Sequence, residues 1–179
     1  MFDSTRVTAL VLAATLLCSL GCCCGAQSAR ESARESAREP APPGVSLQAR
    51  HLALRLRPGQ DLARELRAAV DQHSLTAVGV VTCVGSLTEV TLRYANQEEP
   101  TQLRGHFEIV SLVGTLEPGG AHLHVAVADG EGRTFAGHLL DGSAVYTTAE
   151  VVLVSLDDLR FTRRPDSVTT YDELSVERP

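Results

Sequence analysis

Three of the six histidines, His122, His124 and His138, fall inside one stretch whose pattern reads as a β-hairpin. The first arm runs Gly120-Ala121-His122-Leu123-His124-Val125-Ala126-Val127-Ala128, and the return arm Arg133-Thr134-Phe135-Ala136-Gly137-His138-Leu139-Leu140. Successive side chains of a strand point to opposite faces. His122, His124, Ala126 and Ala128 therefore share one face, and Leu123, Val125 and Val127 the other. On the return arm Ala136 and His138 fall opposite in face to Phe135 and Leu139. A Gly130-Glu131-Gly132 loop, with Asp129 facing Arg133, sets His138 across from His124. A two-residue Gly130-Glu131 loop would instead pair His138 with Leu123 and mix the faces, so the apolar pattern selects the odd-length loop.

Opposed residues of a strand pair have Cβ atoms about 5 Å apart. Three neutral imidazoles at that spacing can hold one divalent ion with bonds of about 2.0–2.1 Å. Three protein ligands leave a fourth position open, the arrangement of catalytic rather than structural zinc. Imidazole suits zinc, copper, nickel and iron alike, and zinc is the expected ion. The same trio would also fit a polar pocket or a subunit contact.

The hairpin needs a sheet to carry it. Leu52, Leu54 and Leu56 alternate with His51, Ala53 and Arg55, a half-buried strand, and Pro58-Gly59 turns the chain. Asp61 to His73 reads as a helix with Leu62, Leu66, Ala69 and Val70 on one face. Strands are predicted at Ala77–Cys83, Thr88–Tyr94, His106–Thr115, His122–Ala128, Arg133–Leu140, Val145–Leu156 and Leu159–Thr162. One helix after the first strand, followed by a meander, predicts an α+β fold with a mainly antiparallel sheet. The domain is expected over 45–163, with a loose polar tail over 164–179. Cys83, flanked by Val80, Val81 and Val84, reads as a small buried apolar residue.

The first 25 residues read as an export segment. Val7 to Leu20 form an apolar run behind Arg6, too short for a comfortable membrane span but suited to a signal sequence. Leu20-Gly21-Cys22 resembles the bacterial lipoprotein processing site, which implies lipidation at Cys22 and a place in the bacterial cell envelope. A cleaved soluble signal or an uncleaved anchor are the alternatives. Residues 26–44 repeat Ser-Ala-Arg-Glu and end at Pro40, Pro42 and Pro43, a solvated spacer. Four of the five cysteines lie in the export segment, so no disulfide framework is expected. From residue 44 onward 12 Arg stand against 18 Asp and Glu, a balance of −6 that argues against a nucleic-acid surface.

Gly105-His106-Phe107-Glu108-Ile109-Val110-Ser111-Leu112-Val113-Gly114-Thr115 resembles the signature of the plant and prokaryote conserved (PPC) domain. Further matching pieces are Arg55–Leu62, Val84-Gly85-Ser86-Leu87, His122-Leu123-His124, Gly137-His138-Leu139-Leu140 and Val145–Glu150. The resemblance covers residues 50–157. It implies a homotrimer, with Gly105, His106, Phe107, Glu108, Ile109 and Val110 at partner or trimer contacts. It also implies retention of the three histidines as a metal site in bacterial members. The second signature residue, usually Arg, is His106 here. The AT-hook core that contacts DNA in plant members is absent from this sequence, so no DNA binding carries over.

Two functions follow. One is a zinc-dependent enzyme on small carbonyl or ester substrates, with Glu108 or Glu150 moving protons and Arg104 or Arg133 holding an anionic group. The other is a trimeric, metal-binding assembly or binding module on a lipid anchor at the membrane, with an unassigned small-molecule ligand. For both glutamates and both arginines an ordinary structural or solvated role is the competing reading.

Overall fold

A computed structural model describes residues 48–178; the expected export segment, Cys22 and the spacer lie outside these residues. The elements are β1 (Ala49–Leu56), α1 (Leu62–Gln72), β2 (Val78–Arg93), β3 (Thr101–Glu117), β4 (Gly120–Ala128), β5 (Thr134–Leu139), β6 (Val145–Leu156), β7 (Arg160–Pro165) and β8 (Asp172–Glu177). Six strands form one sheet in the order β1-β6-β2-β3-β4-β5, every ladder antiparallel. The sheet curls until β5 meets the far end of β2, pairing Leu92 with Leu139 and Arg93 with His138. The expected α+β fold with one helix after the first strand is present. Among the described residues no helix is long and apolar enough to cross a membrane.

The helix forms where its ends and its face agree. Asp61 caps it: Oδ1 accepts from the Arg64 amide at 3.0 Å, satisfying one of the orphan donors of the first turn. Oδ2 accepts from the Gly142 and Ser143 amides, so one carboxylate ties the helix start to the β5–β6 loop. Leu62, Ala63, Leu66, Ala69 and Val70 are buried, and four of them join the inner-face residues of β2, β3, β4 and β6 in one core.

Alternation decides the rest. On β4, Leu123, Val125 and Val127 are buried at 0–3% exposure, while His122 and His124 are exposed. Cys83 is buried in that core, and burial pushes its thiol up to about 11. Two expectations need correction. The strands placed at Ala77–Cys83 and Thr88–Tyr94 are one strand, β2, because bulges near Val80/Thr82 and Gly85/Leu87 bend the strand without ending it. The tail from Arg164 is not loose. Arg160–Pro165 pairs with Asp172–Glu177 in a second, two-stranded ladder, so the boundary at 163/164 falls inside β7. That hairpin is docked through buried Phe161, whose amide donates to the Thr76 carbonyl at 2.9 Å.

Candidate metal centre

The β4–β5 register is the odd-loop one. Asp129 donates its amide to the Arg133 carbonyl, and His124 lies directly across from His138. On the other side of β4, His122 pairs with Thr115 and His124 with Val113 of β3. Two glycines let the strands come close enough. At Gly114, φ is +143° and a Cβ would lie 2.0 Å from the His122 carbonyl oxygen. At Gly137 a Cβ would lie 2.8 Å from the Arg93 carbonyl oxygen, so a side chain there would hold β5 off β2. Only glycine tolerates such close backbone approach.

The three rings converge. One ligating nitrogen from each of His122, His124 and His138 lies within 4.8 Å of the others. The Nε2 atoms of His122 and His124 are 3.1 Å apart. Donors of a tetrahedral site with bonds of about 2.0–2.1 Å stand roughly 3.3 Å from each other. The pair therefore needs almost no adjustment to share an ion, and the third ring a small swing. Partial removal from water holds the His122 imidazole below its usual range, helped by His124 and by the Arg163 guanidinium. The same withdrawal from water, with Arg93 next, holds His138 down. Lowered values keep rings neutral, the form that ligates a metal.

The two glutamates expected to serve this site do not reach it. Glu108 pairs with Ala128, four residues along β4 from His124, roughly 13 Å away at about 3.3 Å per residue. Glu150 lies on β6, three strands from β4, opposite Arg55 and Val84 on an exposed face. Arg104 and Arg133 are engaged elsewhere, with Glu89 at 3.4 Å and Asp129 at 2.7 Å. Within the signature segment, Phe107 and Ile109 face the core at 6% exposure each, with Phe107 edge-on to Phe135. Gly105, His106, Glu108 and Val110 are exposed, and the His106 ring lies 4.3 Å from that of Tyr146.

Three other residues do share the histidine cleft: Arg93, Glu117 and Arg163. Arg93 is the cross-strand partner of His138. Glu117 sits two residues past Thr115, making it the diagonal neighbour of His122 on the same face. It is 4% exposed, and its Oε1 accepts from Arg163 Nε at 3.0 Å while Arg163 Nη2 donates to Thr115. Its Oε2 is buried with no partner among the described residues. Sequence reasoning missed all three. Arg93 is 45 positions from His138 and Arg163 46 from Glu117, so no local spacing marks them. The one available signal was a Glu at the end of an apolar strand.

Comparison with known proteins agrees with this frame. The model of the Plants and Prokaryotes Conserved (PCC) domain matches residues 45–157. The Bifunctional protein GlmU of Synechococcus sp. (strain JA-3-3Ab) is 50% identical over 125 residues, 70% of this chain and 20% of that protein. The chain thus spans about a fifth of the length of the curated relatives it matches first. A hypothetical protein from Salmonella has a solved structure 47% identical, with a TM-score of 0.73, covering 75% of this chain and 97% of that one. A metal-containing protein from Archaeoglobus fulgidus (23% identity, TM-score 0.64, 75% and 99% coverage) shares the fold. So does a putative DNA-binding protein from Bacteroides thetaiotaomicron (22%, TM-score 0.60, 72% and 91%). With the model match spanning well over half of the sequence and the sheet, helix and histidine hairpin in place, the chain belongs to the Plants and Prokaryotes Conserved domain family.

Proposed function

We propose that this protein is an exported, lipid-anchored binding module that holds a divalent metal, zinc, on His122, His124 and His138 and works as a homotrimer. The observation that carries the metal reading is the convergence of three imidazole nitrogens within 4.8 Å on one outward face. Three imidazoles on one face, two of them with Nε2 atoms 3.1 Å apart, suit zinc. A relative of the same fold is a metal-containing protein, which supports the same reading. When bound, such an ion supplies a Lewis acid with an open coordination position. The binding module is favoured over a zinc-dependent enzyme on small carbonyl or ester substrates, because Glu108 and Glu150 lie away from the trio. Of the carboxylates that line the cleft beside it, Glu117 is already engaged by Arg163, while Asp172 and Glu173 stand on the β8 side.

Assembly draws on a patch of exposed apolar side chains. Val81 and Val84 lie on β2, and Val110 and Val113 on the neighbouring β3. All four are 53–60% exposed, and exposed apolar clusters of this kind mark contact surfaces. The patch adjoins the histidines, since Val113 pairs with His124. Export and anchoring rest on the Val7–Leu20 run and on Leu20-Gly21-Cys22. One lipid chain alone binds a membrane marginally, and three per trimer would make attachment durable. DNA binding is the least supported role, given the excess of acidic over basic residues.

Elemental analysis of the purified protein tests the metal. About one zinc per chain in the wild type, lost in His122→Ala/His124→Ala, is expected. A wild type that stays metal-free after reconstitution with zinc overturns the reading.

A further inference from the structure

The histidine face is bounded by a wall that lies beyond the span matched by the family model, which ends at residue 157. That wall is the β7–β8 hairpin. Between it and the His122 and His138 rings lies a cleft of about 650 Å³. Its floor carries His122 and His138, its far side Arg93, and the hairpin side Arg163, Asp172 and Glu173. Ala121, Leu139 and Leu140 supply an apolar strip between them.

The two guanidiniums differ in what they still lack. Arg163 is engaged by the buried Glu117 carboxylate and by Thr115, and is only 21% exposed. It is a fixed part of the wall. Arg93 is half-buried, makes no ion pair among the described residues, and is the cross-strand partner of His138 in the lining of the cleft. A half-buried cation that makes no ion pair, set beside an apolar strip, is a receptor for a carboxylate with a carbon body. Asp172 and Glu173 on the hairpin, with Glu117 beneath, make the surroundings unfavourable for a doubly charged phosphate. A singly charged ligand meets about half of that repulsion.

We propose that this cleft binds a small monocarboxylate, with Arg93 receiving the carboxylate, the Ala121/Leu139/Leu140 strip taking the carbon body, and the Glu117–Arg163 pair holding the hairpin wall in place. The proposal deepens the metal reading and rests on it in one respect: an ion on the trio raises the affinity by adding positive charge to the same cleft. The carboxylate contact with Arg93 does not itself require the ion.

Calorimetric titration of the protein with butyrate and benzoate, and with the neutral butyramide and benzamide, tests this. Zinc-loaded and metal-free wild type are compared with Arg93→Gln, whose zinc content is measured alongside. At least one acid is expected to bind about tenfold or more tightly than its amide. Arg93→Gln should remove that preference while leaving zinc content and the folded circular dichroism spectrum unchanged. If both acids fail to bind, or if Arg93→Gln binds them within about twofold of wild type, the proposal is overturned. A protein that takes up no zinc, yet prefers the acids in an Arg93-dependent way, overturns the metal reading alone.

Discussion

Glu117 keeps a carboxylate where water does not reach it. At 4% exposure it relies on Arg163 for charge compensation, and breaking such a pair leaves a stranded charge. Glu117→Gln leaves the Arg163 guanidinium facing an amide. The expected cost is about 1–3 kcal/mol of folding stability, read as a lower urea midpoint. An unchanged midpoint would show that the pair contributes nothing. The metal trio was legible at this scale because its chemistry is written locally. His122, His124 and His138 sit on one hairpin, and strand alternation plus loop parity fix their faces and their register. The proton-transfer candidates were not legible. Glu108 shares the histidine face but sits too far along the strand, and Glu150 belongs to a strand that the sheet order places three positions away. Residue type and motif membership carried no information about either distance.

At the scale of elements, the helix could be read to within one residue. Its apolar stripe has a helical period and Asp61 is a strong cap. The β2 boundary could not, since a bulge and a strand end leave the same mark in sequence, a glycine in an apolar run. The β7–β8 hairpin escaped because its exposed side chains, Arg164, Asp172 and Glu173 among them, look like a solvated tail. Backbone pairing and one buried Phe decide it instead. The join between α1 and the β5–β6 loop carries a pH signature. Asp141 is partly desolvated, which would raise its pKa. Hydrogen bonds from Arg67 and Arg64 outweigh this and hold the carboxyl below the usual aspartate range. A depressed folded value means that the unfolded chain binds the proton first as pH falls. The contribution is therefore whole above the unfolded value of about 3.9 and lost on going below it. The group is 42% exposed, so solvent screening keeps the effect small. Asp141→Asn should lower the denaturation midpoint slightly at pH 7 and not at all at pH 2, as followed by circular dichroism. Equal loss at both pH values would assign the effect to packing.

For the whole molecule, the sheet has two unlike surfaces. One packs on the helix; the other carries Val81, Val84, Val110 and Val113 next to the histidines. If those valines form the trimer contact, Val110→Glu places three carboxylates in one interface. Sedimentation equilibrium should then give a monomer for Val110→Glu and a trimer for wild type, at equal zinc content. A trimeric variant would move the contact elsewhere on the surface. The fold class was readable because helix and strand periods differ. The spatial order of the strands was not, since β6 inserts between β1 and β2 only after the chain has passed through β5.

The three metal donors span only sixteen positions of the chain, whereas the cleft beside them is assembled from Arg93, Glu117 and Arg163, which are spread over seventy. Closing a short hairpin costs little loop entropy and takes microseconds, while distant pairings form later and more slowly. The histidines can therefore come together in a chain whose sheet has not yet curled to join β5 to β2. An ion captured at that moment would act as a folding seed, fixing the β4–β5 register before β5 reaches β2. The order of events in time would then run from ion to sheet to ligand cleft. Refolding in the presence of zinc would be faster than refolding followed by zinc addition.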